Sequence, residues 1–142
     1  MQSSAFDNYF LQAQRIRKLI RSDFDRVFLT PNPLLDTTKS SVISPAGVHV
    51  LLHPSAIQTA PRLRDDIEKE MHSDSLGAYV QDILTVPASL AGLPALSVPA
   101  GLGQDGWPVG LSVIGQWGSD SLVLAVGRIL EQLATYSTFN TK

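Results

Sequence analysis

A long amphipathic pattern opens the chain and predicts a helix over residues 5–29. Its apolar residues recur at three- and four-residue steps, so they share one helical face. These residues are Phe6, Tyr9, Phe10, Ala13, Ile16, Ile20, Phe24, Val27 and Phe28. Arg17 falls inside the same stripe, because eleven steps of about 100° place it about 20° from Phe6.

Two interpretations of Arg17 are open from the residues alone. An unpaired charge on a buried face costs several kcal/mol, so the guanidinium needs a partner. That partner is either a structural acid, with the long stem reaching toward the rim, or a ligand. A guanidinium also forms a planar fork that suits the carboxylate of a substrate.

The remaining pattern predicts an α/β fold. A Pro-, Ser- and Thr-rich loop at 30–47 precedes a strand at 48–52, and a polar connection covers 58–75. Thr85 is the predicted N-cap and Gly92 the predicted terminator of a short helix. The further helices are predicted at 76–83, 86–91 and 120–134, the further strands at 95–99 and 109–114, and a frayed tail at 135–142.

Asp82 lies at the joint between two of these helices, where an acid has two ordinary uses. It could cap a helix N-terminus, or it could bind a cationic group of a ligand. The residues by themselves leave both uses open.

Several short motifs suggest chemistry that their setting excludes. Gly101, Gly103 and Gly106 have the G-x-G-x-x-G spacing, but a strand follows them where dinucleotide binding needs a helix. Ser112 resembles a nucleophile elbow, yet its motif is one residue too long and lies inside a strand. The Lys39–Ser41 triplet lies in the polar loop, and His49 with His53 lacks a third metal ligand nearby.

Composition narrows the class of protein further. The chain has 142 residues, is 44% hydrophobic and 17% charged, and carries a net charge of −2, as expected for a globular domain without a nucleic-acid footprint. It has no cysteine, and we find no apolar run of about 18 residues that would span a bilayer. Its first residues contain no targeting signal, and the abrupt entry into a helix suggests a cut through a longer protein.

Three stretches together resemble the C-terminal part of the amidase signature family. They are AFDNYFLQAQRIRKLIRSDFDRVF, VHVLLHPSA and YVQDILTVPASLAGLPALSVPAGLGQDGWPVGLSVIG, within residues 5–131. The A-Q-x-x-R motif ending at Arg17, and Asp82-x-x-Thr followed by LAGLP, are most similar to the glutaminase (A) subunits of glutamyl-tRNA(Gln) amidotransferases. The length of the 30–47 loop is similar to fungal mitochondrial members.

The resemblance implies an α/β/α fold around a large mixed sheet and amide hydrolysis by a Ser nucleophile, a bridging Ser and a Lys base. The implied partners are the N-terminal catalytic part of the same polypeptide, the B subunit of the amidotransferase, and a small accessory subunit. Ammonia from glutamine would pass to the B subunit, which uses ATP and Mg²⁺ to amidate glutamate on tRNA, so this chain would touch tRNA only indirectly. The resemblance also implies a mitochondrial location.

Carried over to this sequence, Arg17 matches the family residue that binds the glutamine carboxylate, and Asp82 matches the acid that receives its α-ammonium group. The family's Ser-Ser loop and Lys match nothing here, so we expect no catalytic residue and no bound cofactor in this chain, and no activity from it alone. Ser89 and Ser112 replace an Asn and a Gln usual in the family. Two alternatives are a non-catalytic amino-acid-binding module and a segment of a general amidase acting on neutral amides.

Overall fold

A computed structural model describes residues 6–35, 46–60, 80 and 82–139. A π-helical turn at Phe6–Phe10 leads into helix α1, Leu11–Val27. Strand β1 is Val50–Pro54, and a 3₁₀ turn at Asp82–Leu84 precedes helix α2, Val86–Ala91. Strands β2, Ala95–Leu102, and β3, Pro108–Gly115, form a hairpin, and helix α3 is Asp120–Phe139.

The strands form one antiparallel sheet in the order β1-β3-β2. In the central strand β3, Ile114 pairs with Leu51 of β1 and with Ala95 of β2. Its neighbour Val113 pairs with Leu52 of β1 and with Leu96 of β2. Side chains alternate between the two faces of a sheet, so Ile114 and Val113 point to opposite sides.

Helices cover both faces of this sheet. On one face α3 approaches so closely that a Cβ on Gly127 would lie 2.3 Å from Leu96 Cδ2. On the other face Ile114 packs with Phe28 of the α1 end and with Ala88 and Ala91 of α2. The chain is therefore α/β with an α/β/α layering, as the sequence predicts.

Helix α1 ends where Phe28 turns to an extended conformation (φ −76°, ψ 138°). Phe28 then forms a parallel bridge with Val48, and its ring stacks on Phe24 at a centroid distance of 6.3 Å. Among the described residues the sheet is antiparallel, and the one parallel pairing is this isolated bridge. This bridge is also why the first helix ends at Val27 and not at residue 29, and why β1 begins two residues later than predicted.

Helix α2 has the predicted bounds and the predicted terminator. Gly92 adopts the left-handed conformation (φ 73°, ψ 37°), which glycine reaches without a Cβ penalty. The expected cap is wrong in detail, because Thr85 makes no side-chain cap hydrogen bond. Its hydroxyl instead donates to the carbonyl oxygen of Asp82 at 3.3 Å.

Other predicted bounds differ or fall outside the described residues. Of the helix predicted at 76–83, Val80 is helical and the Asp82–Leu84 turn is 3₁₀, whereas 76–79 and 81 are not described. Helix α3 continues to Phe139, into the tail expected to fray. Residues 36–45 of the predicted loop, including Lys39, Ser40 and Ser41, also lie outside the description.

The first helix is less covered than its stripe suggests. Ile20 and Phe24 pack against the core, but within the described part no residue of α1 is fully buried. Tyr9 is 77% exposed and Leu19 65%, while Leu133 of α3 is 61% exposed. Both long helices therefore carry apolar surface that nothing in the described part of the chain covers.

Candidate functional site

Arg17 is held by the last turn of α2. The Schellman cap of that helix uses two of its final carbonyls, since Leu93 N–H donates to Ala88 O and Gly92 N–H to Ser89 O. The carbonyl of Leu90 is left over, and Arg17 Nε–H donates to it at 2.7 Å. A cation at the C-terminus of a helix also suits the negative end of its dipole.

This bond fixes the plane of the guanidinium while leaving most of its donors available. A guanidinium has five N–H groups in a rigid fork, and only Nε–H is used on Leu90. Arg17 is exposed, and within the described part of the chain it forms no ion pair. The structural acid that one interpretation required is therefore not present among the described residues, and the two Nη groups can donate to both oxygens of a carboxylate.

Asp82 begins the 3₁₀ turn that precedes α2 and is exposed. Its backbone carbonyl accepts from Thr85 N–H at 3.1 Å, so the turn itself does not depend on the carboxylate. Among the described residues the carboxylate has no cation beside it. The exposed carboxylate is thus available to a cationic group.

Arg17 and Asp82 are brought to the same helix but not into contact. Asp82 lies before the first turn of α2, whereas Leu90, the acceptor for Arg17, lies in its last turn. Six residues of helix span about 9 Å. The two exposed side chains therefore lie near opposite ends of α2.

Arg21 is a partly buried charge that the sequence interpretation did not single out. It lies one helical turn after Arg17, and its Nε is buried without a hydrogen-bond partner. The same angular measure that selects Arg17 also selects Arg21, since seven steps of about 100° place it about 20° from Phe28.

A buried polar network was also missed, and it anchors the loop after α1. Gln116 is 1% exposed, and its Nε2 donates to Asp25 Oδ1 at 3.1 Å and to Thr30 O at 3.3 Å. Asn32 Nδ2 donates to the same Asp25 oxygen at 3.0 Å. Asp25 lies off the apolar stripe, so the sequence predicts that it faces solvent. Instead it accepts hydrogen bonds from Asn32 and Gln116, which are 7 and 91 residues away. Only the tertiary structure could reveal that.

Three serines meet on the sheet face that also carries Ile114. Ser55 Oγ shares hydrogen bonds with Ser97 Oγ at 2.6 Å and with the buried Ser112 Oγ at 2.7 Å. Gly110 leaves room for them, because a Cβ there would lie 2.9 Å from Ser55 Oγ. Ser112 lies inside β3 as predicted, and a neighbouring hydroxyl is too weak a base to make it a nucleophile.

The remaining motifs have structural settings. Gly101 (φ 128°) and Gly106 (φ 80°) form the end of β2 and the hairpin turn, so the glycine triplet opens no helix, as predicted. His53 Nδ1 donates to its neighbour Pro54 O at 2.7 Å. Among the described residues no three His, Cys, Asp or Glu side chains group as metal ligands. None of the described helices is long and apolar enough to cross a membrane.

Comparison with known proteins gives consistent matches over most of the chain. A sequence model described as Amidase matches residues 1–124. The mitochondrial A subunit of glutamyl-tRNA(Gln) amidotransferase from Mycosarcoma maydis is 48% identical over 135 residues, which are 94% of this chain and 25% of that protein. The corresponding mitochondrial protein from Neurospora crassa is 45% identical over 141 residues, covering 89% of this chain and 26% of the relative.

Solved structures agree with the sequence matches. The crystal structure of the glutamyl-tRNA(Gln) amidotransferase A subunit from Thermotoga maritima superposes with a TM-score of 0.61 at 30% identity, over 85% of this chain and 22% of that one. A 6-aminohexanoate cyclic dimer hydrolase complexed with substrate gives 0.50 at 30% identity, over 61% and 20%. The chain therefore spans about a quarter of the length of the proteins that it matches.

Proposed function

Because the chain belongs to the amidase family, we propose that it is the C-terminal segment of a glutaminase (A) subunit of glutamyl-tRNA(Gln) amidotransferase. The subunit hydrolyses glutamine, and the ammonia serves to convert Glu-tRNA(Gln) into Gln-tRNA(Gln). This segment supplies substrate recognition. The observation that carries the proposal is the Arg17 guanidinium, which Leu90 O orients and whose Nη edge has no carboxylate partner in the described chain.

The proposed recognition follows from charge. Arg17 binds the α-carboxylate of glutamine through paired N–H donors, and Asp82 receives the α-ammonium group. A neutral amide leaves both polar groups unmatched, and an unmatched site costs binding energy. The site thereby favours a free amino acid over an amide that lacks the charged end.

The bond-breaking groups come from elsewhere in the proposed subunit. By resemblance, a Ser nucleophile, a bridging Ser and a Lys base lie in the N-terminal part. The partner B subunit uses ATP and Mg²⁺. Residues of this chain therefore bind and orient glutamine but form no covalent bond with it. A mitochondrial location is supported by the names of the fungal relatives.

Uncovered apolar surface supports a larger assembly. Leu19 on α1 and Leu124 and Leu133 on α3 are each at least 60% exposed. The outer edges of β1 and β2 have no strand partner within the described residues. Open edges and apolar patches are features that soluble proteins normally cover. The N-terminal part of the subunit is the proposed cover.

The test uses a complete subunit in which this chain follows the N-terminal part of the Mycosarcoma maydis relative. Arg17→Gln and Asp82→Asn should each raise the KM for glutamine about 10- to 100-fold, the loss expected for one charge-assisted contact. Hydrolysis of a neutral amide such as butyramide should not change. Arg15→Gln is the matched control, since Arg15 is an exposed arginine on the same helix.

The other outcomes select other functions. The likeness to a cyclic dimer hydrolase favours a general amidase as the second candidate. In that case the assembled enzyme hydrolyses neutral amides and is indifferent to Arg17 and Asp82. Glutamine binding by this chain alone, lost in Arg17→Ala, would instead indicate a non-catalytic binding module.

A further inference from the structure

Helix α3 carries an apolar stripe beside the side that packs on the sheet. The stripe consists of Leu122, Val126, Ile129 and Leu133. At about 100° per residue these positions lie within about 60° of one another. Ile129 is 56% exposed and Leu133 61%, so the described part of the chain leaves most of the stripe uncovered.

The stripe faces sideways, toward the position of β1 in the sheet. Gly127 of α3 lies against Leu96 of β2, and the buried Val123 lies against Gly115 of β3. On the helical wheel the stripe lies about a quarter turn beyond Val123, on the side away from Gly127. Going round α3 in that direction leads from β2 over β3 toward β1, since β3 is the central strand.

The sheet has room for a second helix above β1. Leu96, Val113 and Leu52 form one cross-strand row on the α3 side. Val113 is 0% exposed, but Leu52 of β1 is 50% exposed, so this row runs out from under α3. Neighbouring strands are about 4.8 Å apart, which places β1 about 10 Å from β2. Packed helices have axes about 8–10 Å apart, so a helix above β1 would contact α3 above β2.

The spacing of the stripe indicates what kind of element fits it. From Leu122 to Leu133 the steps are four, three and four residues, which is the heptad pattern. Helices that pack through this pattern lie nearly parallel or antiparallel, with axes crossing at about 20°. The partner is therefore an amphipathic helix whose apolar residues recur at the same steps.

The source of that helix follows from how much of the subunit lies outside this chain. The chain spans 25% of the Mycosarcoma maydis relative, so most of a complete subunit is available to cover α3. The polar connection at 58–75 suits the stripe poorly, because seven of the nine residues from 62 to 70 are charged. Burying charges against an apolar surface is costly.

We propose that an amphipathic helix from the N-terminal part of the subunit packs on the stripe, above β1 and nearly parallel or antiparallel to α3. The inference rests on the proposed function, because it takes the rest of the glutaminase subunit as the source of the helix. The contact covers the exposed side chains of Ile129, Leu133 and Leu52 together, and it holds the two parts of the subunit in one sheet-and-helix layer.

Thiol modification in the assembled subunit tests whether the stripe is covered. The chain has no cysteine of its own, so Ile129→Cys and Leu52→Cys each introduce one that mass spectrometry can follow. Each should react with a maleimide about 10- to 100-fold more slowly than Ser121→Cys, because the covering helix must first open. Ser121 is exposed on the same helix, about a third of a turn from the stripe. Rates in denaturant correct for intrinsic differences between the thiols.

Photo-crosslinking in the assembled subunit identifies what covers the stripe. A benzophenone amino acid at position 133, at the end of the stripe, should crosslink to a peptide of the N-terminal part. The apolar residues of that peptide should recur at three- and four-residue steps. The same probe at position 121 should not capture that peptide.

Several outcomes would overturn the inference. If the Ile129→Cys thiol reacts as fast as the Ser121→Cys thiol, the stripe stays exposed in the subunit. A crosslink to residues 61–79 of this chain, or to the B subunit, would assign the cover to a different segment. In each case the proposed function stands if Arg17→Gln still raises the KM for glutamine. Leu133→Cys gives the same comparison if Ile129→Cys disturbs folding.

Discussion

The buried amide of Gln116 provides the sharpest test of how this structure is held together. Its side chain joins the end of β3 to α1 and to the loop that follows α1. It also accepts from the backbone N–H of Trp117 at 2.8 Å. Truncation by Gln116→Ala removes all three contacts without changing any other element.

These three contacts set the stabilising free energy that the Gln116→Ala variant should lose. The bond to Asp25 is charge-assisted and contributes about 1.5 kcal/mol, and the bond to Trp117 contributes about 1 kcal/mol. The bond to Thr30 is long at 3.3 Å and adds about 0.5 kcal/mol. The total of about 3 kcal/mol corresponds to roughly a 100-fold change in the equilibrium for local opening.

Amide hydrogen exchange on the assembled subunit measures that opening locally. Trp117 N–H loses its acceptor directly and should exchange about 100-fold faster. The informative amide is that of Leu34, which donates to Asn32 Oδ1 at 3.0 Å and keeps this acceptor in the variant. If the network is cooperative, Leu34 should also exchange at least about 10-fold faster.

The control is Gln132→Ala, which removes an exposed glutamine from α3. It should leave the exchange of both amides unchanged. Unchanged protection of Leu34 in Gln116→Ala would refute the reasoning, because Asn32 would then be held without the network. Unchanged protection of Trp117 would show that the side chain does not cap this turn at all.

Three further substitutions should lower the melting temperature of the assembled subunit. Gly127→Val adds atoms where α3 contacts the sheet, and even a Cβ at this position would lie 2.3 Å from Leu96 Cδ2. Overpacking of this kind costs about 1–3 kcal/mol. Gly92→Ala puts a side chain at φ 73°, which costs about 1–2 kcal/mol. Ser55→Ala takes away the hydroxyl that Ser112 bonds, and an unmatched buried hydroxyl costs about 1–3 kcal/mol. Ala125→Val and Ser121→Ala, both exposed on α3, are the matched controls and should change the melting temperature little. Asn tolerates the left-handed region, so Gly92→Asn should be more stable than Gly92→Ala, and the reverse order would contradict the strain argument.

Much of the local structure could be predicted because it depends on neighbouring residues. Helix α2 begins and ends as expected, since Pro87 at its start and Gly92 at its end act within one turn. The hairpin between β2 and β3 was also predicted, because glycines and a proline separate two apolar runs. The end of α1 and the start of β1 were not, since Phe28 pairs with Val48 twenty residues away.

The candidate site likewise has features that the sequence predicts and features that only the tertiary structure shows. The helical wheel places Arg17 on the side of α1 that faces other elements, and the family resemblance assigns it a carboxylate. Neither reveals that Leu90 O holds its Nε, because the acceptor is a backbone atom 73 residues away. The serine cluster joins residues 55, 97 and 112, and no spacing rule connects positions so far apart.

The sequence alone therefore determined the fold class, the short-range elements and the family, since periodicity, turn residues and motifs are local signals. The tertiary structure alone decided which polar groups meet. Backbone carbonyls carry no side-chain signature, and a residue such as Asp25 looks solvated until Gln116 reaches it from the end of another strand. Arg17 could be singled out from the chain, but the direction in which its guanidinium points was set by where α2 ends.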